Sequence, residues 1–219
     1  MGREIDLLVN YPRIARNVKE RGATKTEEDR ALARQFGKDF FDGDRRHGYG
    51  GFSYSPRFWQ PVIPTLKSHF WLTAESSLLD IGCAKGFMLH DLVEAIPGIT
   101  VTGIDVSEYA IEHAIEDMRP HLRVADARTI PFADKSFDVV VSINTIHNLD
   151  RADCARALRE IERVASRGAF VTVDAYRNEQ EREAMFAWNL TARMILRVDE
   201  WKAFFLEVGY TGDYYWFVP

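Results

Sequence analysis

The chain has 219 residues, with 28 Lys and Arg against 33 Asp and Glu and a net charge of −5. That length suits one domain with an added segment, and the acidic balance argues against a general electrostatic grip on nucleic acid, which needs a basic surplus or stripe. No apolar run approaches the roughly 18 residues of a membrane span and no signal-peptide core opens the sequence, so a cytoplasmic location is expected.

The first third reads as helical and charged from Ile14 to Phe41, with Glu27 to Phe41 suiting one helix that Gly43 can end. A glycine and aromatic stretch follows, Asp42 to Tyr54 (DGDRRHGYGGFSY), and then Pro56 to His69 reads as a short helix carrying Phe58, Trp59, Val62 and Leu66 inward. Residues 1–75 are therefore expected to form a helical and aromatic cap over residues 76–219. Glycine-rich loops with several aromatics suit closing over a ligand.

From Ser77 the pattern changes to strands alternating with helices. Ser77 to Ile81 is an apolar run ending near an acid, Gly82, Ala84 and Gly86 keep the following turn nearly bare, and Phe87 to Ile96 is an amphipathic helix stopped by Pro97-Gly98. Thr100 to Ile104 is a second strand with Asp105 at its end. Ser107 opens a helix whose Ala110, Ile111, Ala114, Ile115 and Met118 share one face before Pro120. Leu122 to Ala125 reads as a third strand followed by Asp126 and Ala127, and Asp134 to Ile143 as a central parallel strand. Arg151 to Val164 is helical and ends at Gly168, Ala169 to Val173 is a fifth strand, Glu179 to Leu196 and Asp199 to Val208 are helices, and Asp213 to Val218 is one terminal strand. A ligand is expected at the carboxyl ends of the strands.

The spacing separates two ligand classes. A dinucleotide fingerprint wants a third glycine where Phe87 stands. Leu78 to Phe87 (LLDIGCAKGF) instead resembles the D/E-x-G-x-G-x-G motif of class I S-adenosylmethionine-dependent methyltransferases, with Ala84 at the middle glycine, a change tolerable if its φ is negative. Acids at Asp80, Asp105 and Asp126 extend the resemblance over Leu78 to Val173, and its flavour is that of small-molecule enzymes such as those of quinone biosynthesis. It implies an α/β, Rossmann-like, doubly wound and mostly parallel sheet. The family's closing two-strand hairpin lacks room here, so a shortened C-terminal sheet edge is expected beside the N-terminal helical cap.

For the cofactor, S-adenosyl-L-methionine with S-adenosyl-L-homocysteine as product, the resemblance implies contacts from Asp80, Gly82, Cys83, Ala84, Gly86, Asp105, Val106, Asp126, Ala127 and Asn144. Asp80 would hold the loop or the methionine amino group, Asp105 the ribose and Asp126 the adenine. Its implied partner is a small-molecule acceptor, with homodimer formation left open.

His147 follows the fourth strand in the run Asn144 to Asn148, and its ordinary pKa suits a general base, although a histidine there can equally cap the next helix. Arg45, Tyr49, Tyr54 and Tyr176 are candidates to line an acceptor pocket; Arg45 and Arg46 offer bidentate anion binding, and His47 is a second base candidate. Lys85 is expected to point to solvent. Cys83 and Cys154 give no disulfide framework or zinc spacing, so no metal is expected. The rival readings are a non-catalytic S-adenosylmethionine-binding module, an RNA methyltransferase and, least favoured, a nicotinamide-dependent oxidoreductase.

Overall fold

A computed structural model describes residues 2–12 and 25–218 of the chain. The sheet's centre is β1 (Ser77–Ile81), flanked by β2 (Thr100–Asp105) on one side and β4 (Phe137–Ile143) on the other. β3 (Leu122–Val124) lies outside β2, and β5 (Ala165–Tyr176) outside β4. The strand order therefore reverses between β1 and β4, and the crevice above that reversal is where an open α/β sheet receives a ligand. Every pairing among the named strands is parallel.

Such strands are buried on both faces, which explains their unbroken apolar runs. The pleat sends Leu79, Val140 and Val171 to one face, and Leu78, Val139, Val141 and Phe170 to the other. On the first face they pack under α7 (Arg151–Val164) and α9 (Val198–Val208), through Leu158, Ile161, Trp201 and Phe205. On the second they meet α4 (Ile63–Phe70) and α5 (Phe87–Ala95), through Leu66, Met88 and Leu92.

Helices in the first third are shorter than their sequence patterns. The pattern before Lys25 lies outside the described residues, and the rest splits into α1 (Glu27–Ala33) and α2 (Lys38–Phe41). Phe36 between them adopts φ 50°, and its carbonyl accepts the Ser107 hydroxyl, so a tertiary bond replaces the helical one. Pro56 to His69 likewise divides into α3 (Pro56–Trp59) and α4, because Pro61 and Pro64 lack the amide protons a continuous helix needs. The helix after Ser107, α6 (Glu108–Glu112), is brief. Farther on, α8 (Glu179–Trp188) stops at Asn189, whose side chain donates to Asp174 Oδ2 at 2.7 Å. Gly168 does not end a helix; it lies inside β5, where an added Cβ would stand 3.1 Å from the Phe70 ring.

The far edge holds the main surprise of topology. β7 (Asp213–Phe217) runs parallel beside β5, while β6 (Leu196–Arg197) pairs only with Ala175 and Tyr176. The open side of β7 is taken by the start of the chain: Ile5 donates to the Tyr214 carbonyl at 3.0 Å, and the Tyr214 amide donates to the Arg3 carbonyl at 3.1 Å. Glu4 secures this seam by accepting the Trp216 indole N–H at 2.8 Å and pairing with Lys202 at 2.6 Å. Residues 3–5 thus continue the sheet, whereas the aromatic stretch lies over its ligand end. An exposed strand edge is a liability that this segment covers.

Glu4→Ala should cost about 1–2 kcal/mol by removing a charge-assisted acceptor, lowering the thermal midpoint by about 3–6 °C for a chain of this size. An unchanged melt would show that the seam contributes nothing to stability.

Candidate functional site

The turn after β1 is built on left-handed backbone. Gly82, Ala84 and Gly86 have φ of 83°, 49° and 80°. The amides of Gly82 and Cys83 donate to the Ile104 carbonyl at 2.8 and 3.1 Å, tying the turn to the end of β2. Glycine is required at 82, because a Cβ there would fall 2.0 Å from Thr145 Oγ1. Ala84 departs from the negative φ its substitution calls for, and the left-handed region costs an alanine roughly 1 kcal/mol. Asp105 compensates by accepting the Ala84 amide on Oδ2 at 2.8 Å. Its Oδ1 accepts the Ser107 amide at 2.9 Å. Cys83 lines the cleft, with its side chain packed: it is buried, a Cβ on Gly103 would touch its sulfur at 2.7 Å, and burial raises its thiol pKa away from reactivity.

The acids of the site differ in what surrounds them. Asp80 is 5% exposed, lines the cleft and has no hydrogen-bond partner among the described residues; burial, aided by the nearby Asp105, pushes its pKa to about 8. Asp105 is also raised by burial, against the pull of its backbone amides. Asp126 lies at the rim, where Arg128 holds it below the usual carboxylate range and bridges on to Asp153. Val106 is 59% exposed and Ala127 lies nearby, both lining the cleft. Asn144, at φ 52°, also lines it and accepts the Thr172 hydroxyl at 2.9 Å.

His147 is placed at the cleft but committed to structure. It is 3% exposed, its Nδ1 accepts the Asp174 amide at 3.0 Å, and Nε2 stands 3.7 Å from Asp174 Oδ2. That bonding assigns the proton to Nε2 and uses the ring's one free lone pair. Burial lowers its pKa, against the attraction of Asp174. The expected general base is thus a buried neutral ring that fixes the carboxyl end of β5, while its carbonyl fixes the amides of Arg193 and Met194 at 3.0 Å each.

Of the acceptor-pocket candidates, Arg45 and Tyr49 line the cleft, and Arg45 Nη1 donates to the Tyr49 carbonyl at 3.1 Å. Tyr54 does not. Its hydroxyl donates to Asp91 at 2.7 Å, which raises its pKa to about 12, and its ring packs edge-on to Phe87. Tyr176 is also outside the lining, on the stretch of β5 paired with β6. Arg46 pairs with Asp44, and His47 Nε2 with Asp29 at 3.0 Å; neither residue lines the cleft.

Lys85 overturns its expected solvent orientation. It is 7% exposed, and its ammonium donates to Asp42 Oδ2 at 2.7 Å and to the Phe52 carbonyl at 2.8 Å. Asp42 also accepts the Tyr109 hydroxyl at 2.8 Å and the Phe52 amide at 2.9 Å. Burial pushes the Asp42 pKa up, but those hydrogen bonds outweigh it and bring the group to about 2. This knot ties the glycine turn to the aromatic loop. Above it Phe40, Phe41, Tyr49 and Phe52 stack against one another, and Phe52 reaches the Phe87 ring at 4.9 Å.

The two sides enclose a cleft of about 1680 Å³. Asp80, Gly82, Asp105 and Asn144 line its sheet side, and Phe36, Phe40, Tyr49 and Phe52 its cap side. A buried acid without a partner, beside a turn nearly free of side chains, fits the amino-acid half of a cationic nucleoside.

Comparison with known proteins agrees. Residues 79–173 match the family described as "Methyltransferase domain". Similar proteins include 27-O-demethylrifamycin SV methyltransferase of Amycolatopsis mediterranei, 32% identical over 63% of this chain and 55% of that protein. Demethylmenaquinone methyltransferase of Roseiflexus sp. is 36% identical over 42% of this chain and 40% of its own length. The rat mitochondrial arginine-hydroxylase NDUFAF5 is 35% identical over 39% and 24%. Among solved structures, the [4+2]-cyclase SpnF superposes with a TM-score of 0.56 at 21% identity, over 71% of this chain and 59% of that one. The chain spans about half or less of the length of these curated relatives. Residues 79–173 form a methyltransferase domain of the class I S-adenosylmethionine-dependent family, with quinone-biosynthesis methyltransferases among its relatives and S-adenosylmethionine as its cofactor.

Asp80 gives a pH signature. The unfolded chain loses this proton near pH 3.8 and the folded chain keeps it to about pH 8, so stability contributed by this group falls as pH rises between those values. Asp80→Asn should abolish that fall, making the ligand-free variant more stable than wild type above pH 8 by thermal melting, while weakening adenosylhomocysteine binding. Lys85→Met should loosen the cap, raising amide exchange at Phe52 by at least about tenfold while α7 stays protected. Unaltered exchange would dismiss the knot as a fastening.

Proposed function

We propose that this protein transfers the methyl group of S-adenosylmethionine to a small-molecule acceptor held between the aromatic loop and the carboxyl ends of the strands. The observation that carries this reading is that one cleft is lined by both the glycine turn with its acids and the stacked aromatics of the cap. The names of the rifamycin and menaquinone relatives support an acceptor of that class.

S-adenosylmethionine supplies an electrophilic methyl on a sulfonium whose charge disappears on transfer. The protein's tasks are to align donor and acceptor and to exclude water, and alignment alone accounts for roughly 7–11 kcal/mol of barrier lowering in favourable cases. In this reading Asp80 and Asp105, which both line the cleft, hold the amino group and the ribose. Tyr49 and Phe52 present aromatic faces, and such a face attracts a cation by roughly 0.5–2 kcal/mol. His147 acts as a positioning residue, fixing Asp174 and the 193–194 backbone at the acceptor side. A cleft so organised does not require a general base.

The hydroxylase and cyclase among the similar proteins show that this fold also hosts other reactions, so transfer must be assayed directly. Calorimetry should show binding of S-adenosylmethionine and its demethylated product, and Asp105→Ala should weaken that binding by at least about tenfold. Cell extract incubated with methyl-labelled donor should then carry label in the small-molecule fraction. Label confined to RNA would move the acceptor to another class, and nucleoside binding with no labelled product would favour the non-catalytic binding module.

A further inference from the structure

Most cations around the cleft already have partners. Lys85 is held by Asp42, Arg128 by Asp126 and Asp153, Arg57 lies over the Phe58 ring at 4.6 Å, and Arg45 donates to the Tyr49 carbonyl. Arg34 is different. It lines the same cleft, its Nε is buried without an acceptor, and no carboxylate among the described residues lies within ion-pairing distance.

On its own helix Glu28 is exposed to solvent, and the other two acids are already in use. Asp29 accepts the Thr26 amide at 2.9 Å and pairs with His47, and Glu27 pairs with Arg30 at 2.9 Å. Backbone contacts fix where Arg34 stands: its amide closes the end of α1 on the Arg30 carbonyl at 3.0 Å. Two residues on, the Phe36 carbonyl receives the Ser107 hydroxyl, just past Asp105 and Val106. The residue as a whole is half-buried, and its enclosed Nε–H is without a partner. A buried donor left unpaired on the wall of a cleft is open to an acceptor on a ligand.

The rest of the lining says which ligand group that is. Asp80 and Asp105 face the same cleft and repel an anion, so an acidic ligand group needs a cation apart from them. We infer that Arg34 is the oxyanion-binding residue of the cleft, taking a carboxylate or similar planar oxyanion of the bound ligand on its guanidinium fork. This deepens the function proposed above and rests on it for the identity of the nucleoside. The oxyanion has two sources, the amino-acid carboxylate of the cofactor or an acid group on the acceptor.

The test uses the full chain and three probes: inorganic sulfate, S-adenosylhomocysteine, and 5′-methylthioadenosine, which lacks the amino-acid half. Sulfate titrated against chloride at constant ionic strength should shift the Arg34 Nε–H resonance saturably in the wild type. If the cofactor supplies the oxyanion, Arg34→Gln lowers adenosylhomocysteine affinity by at least about tenfold, Arg34→Lys less, and methylthioadenosine affinity stays unchanged. If the acceptor supplies it, both affinities are unchanged and sulfate still saturates Arg34 in the adenosylhomocysteine complex. Absence of any saturable sulfate shift, together with wild-type adenosylhomocysteine affinity in Arg34→Gln, overturns the assignment. The wild-type titration needs no variant to fold. A wild type that binds neither nucleoside would sink the methyltransferase reading, and the sulfate arm would then decide Arg34 alone.

Discussion

The site depends on a carboxylate placed where two strand ends meet. Asp105 accepts the Ala84 amide on one oxygen and the Ser107 amide on the other, so one side chain sets the shape of the turn after β1 and the start of α6. A carboxylate offers about four acceptor directions, so these two bonds leave capacity for a sugar diol. The parallel sheet makes the arrangement possible. β1 and β2 run side by side in register from Ser77 and Thr100, which brings the Gly82 turn and Asp105 out at the same edge.

The cap is bound to that turn by charge as well as by packing. Lys85 comes from between Ala84 and Gly86, and its partner Asp42 comes from the end of α2. The Tyr109 hydroxyl and both the amide and the carbonyl of Phe52 join the same group. A change in the turn's backbone therefore reaches the aromatic wall through the Lys85–Asp42 ion pair and the Lys85–Phe52 hydrogen bond, which couple the two sides of the cleft.

Much of the sheet could be read from the sequence because parallel central strands carry continuous β-branched runs, and Phe137 to Ile143 is the clearest of them. The turn was equally legible, since bare backbone needs glycine and glycine is visible. What escaped was whatever depends on partners far away in sequence. Nothing near Lys85 indicates that its ammonium meets a residue at position 42, and nothing near Tyr54 tells that its hydroxyl turns toward Asp91 instead of the cleft. Phe36 interrupts an apparently continuous helix because the Ser107 hydroxyl claims its carbonyl. His147 sits where expected, but its lone pair is used by the Asp174 amide, a bond that only the fold creates.

The seam along β7 has a bearing on how the chain reaches this structure. Arg3 and Asp213 meet across a sequence separation of 210 residues. Closing so long a span carries an entropic cost that is recovered only when the contacts behind it exist. The sheet from β3 to β5 can assemble from nearer neighbours, whereas the outermost rung must wait until residues 3–5 and β7 have both been synthesised. This sheet is therefore fastened last along β7, where residues 3–5 lie against it.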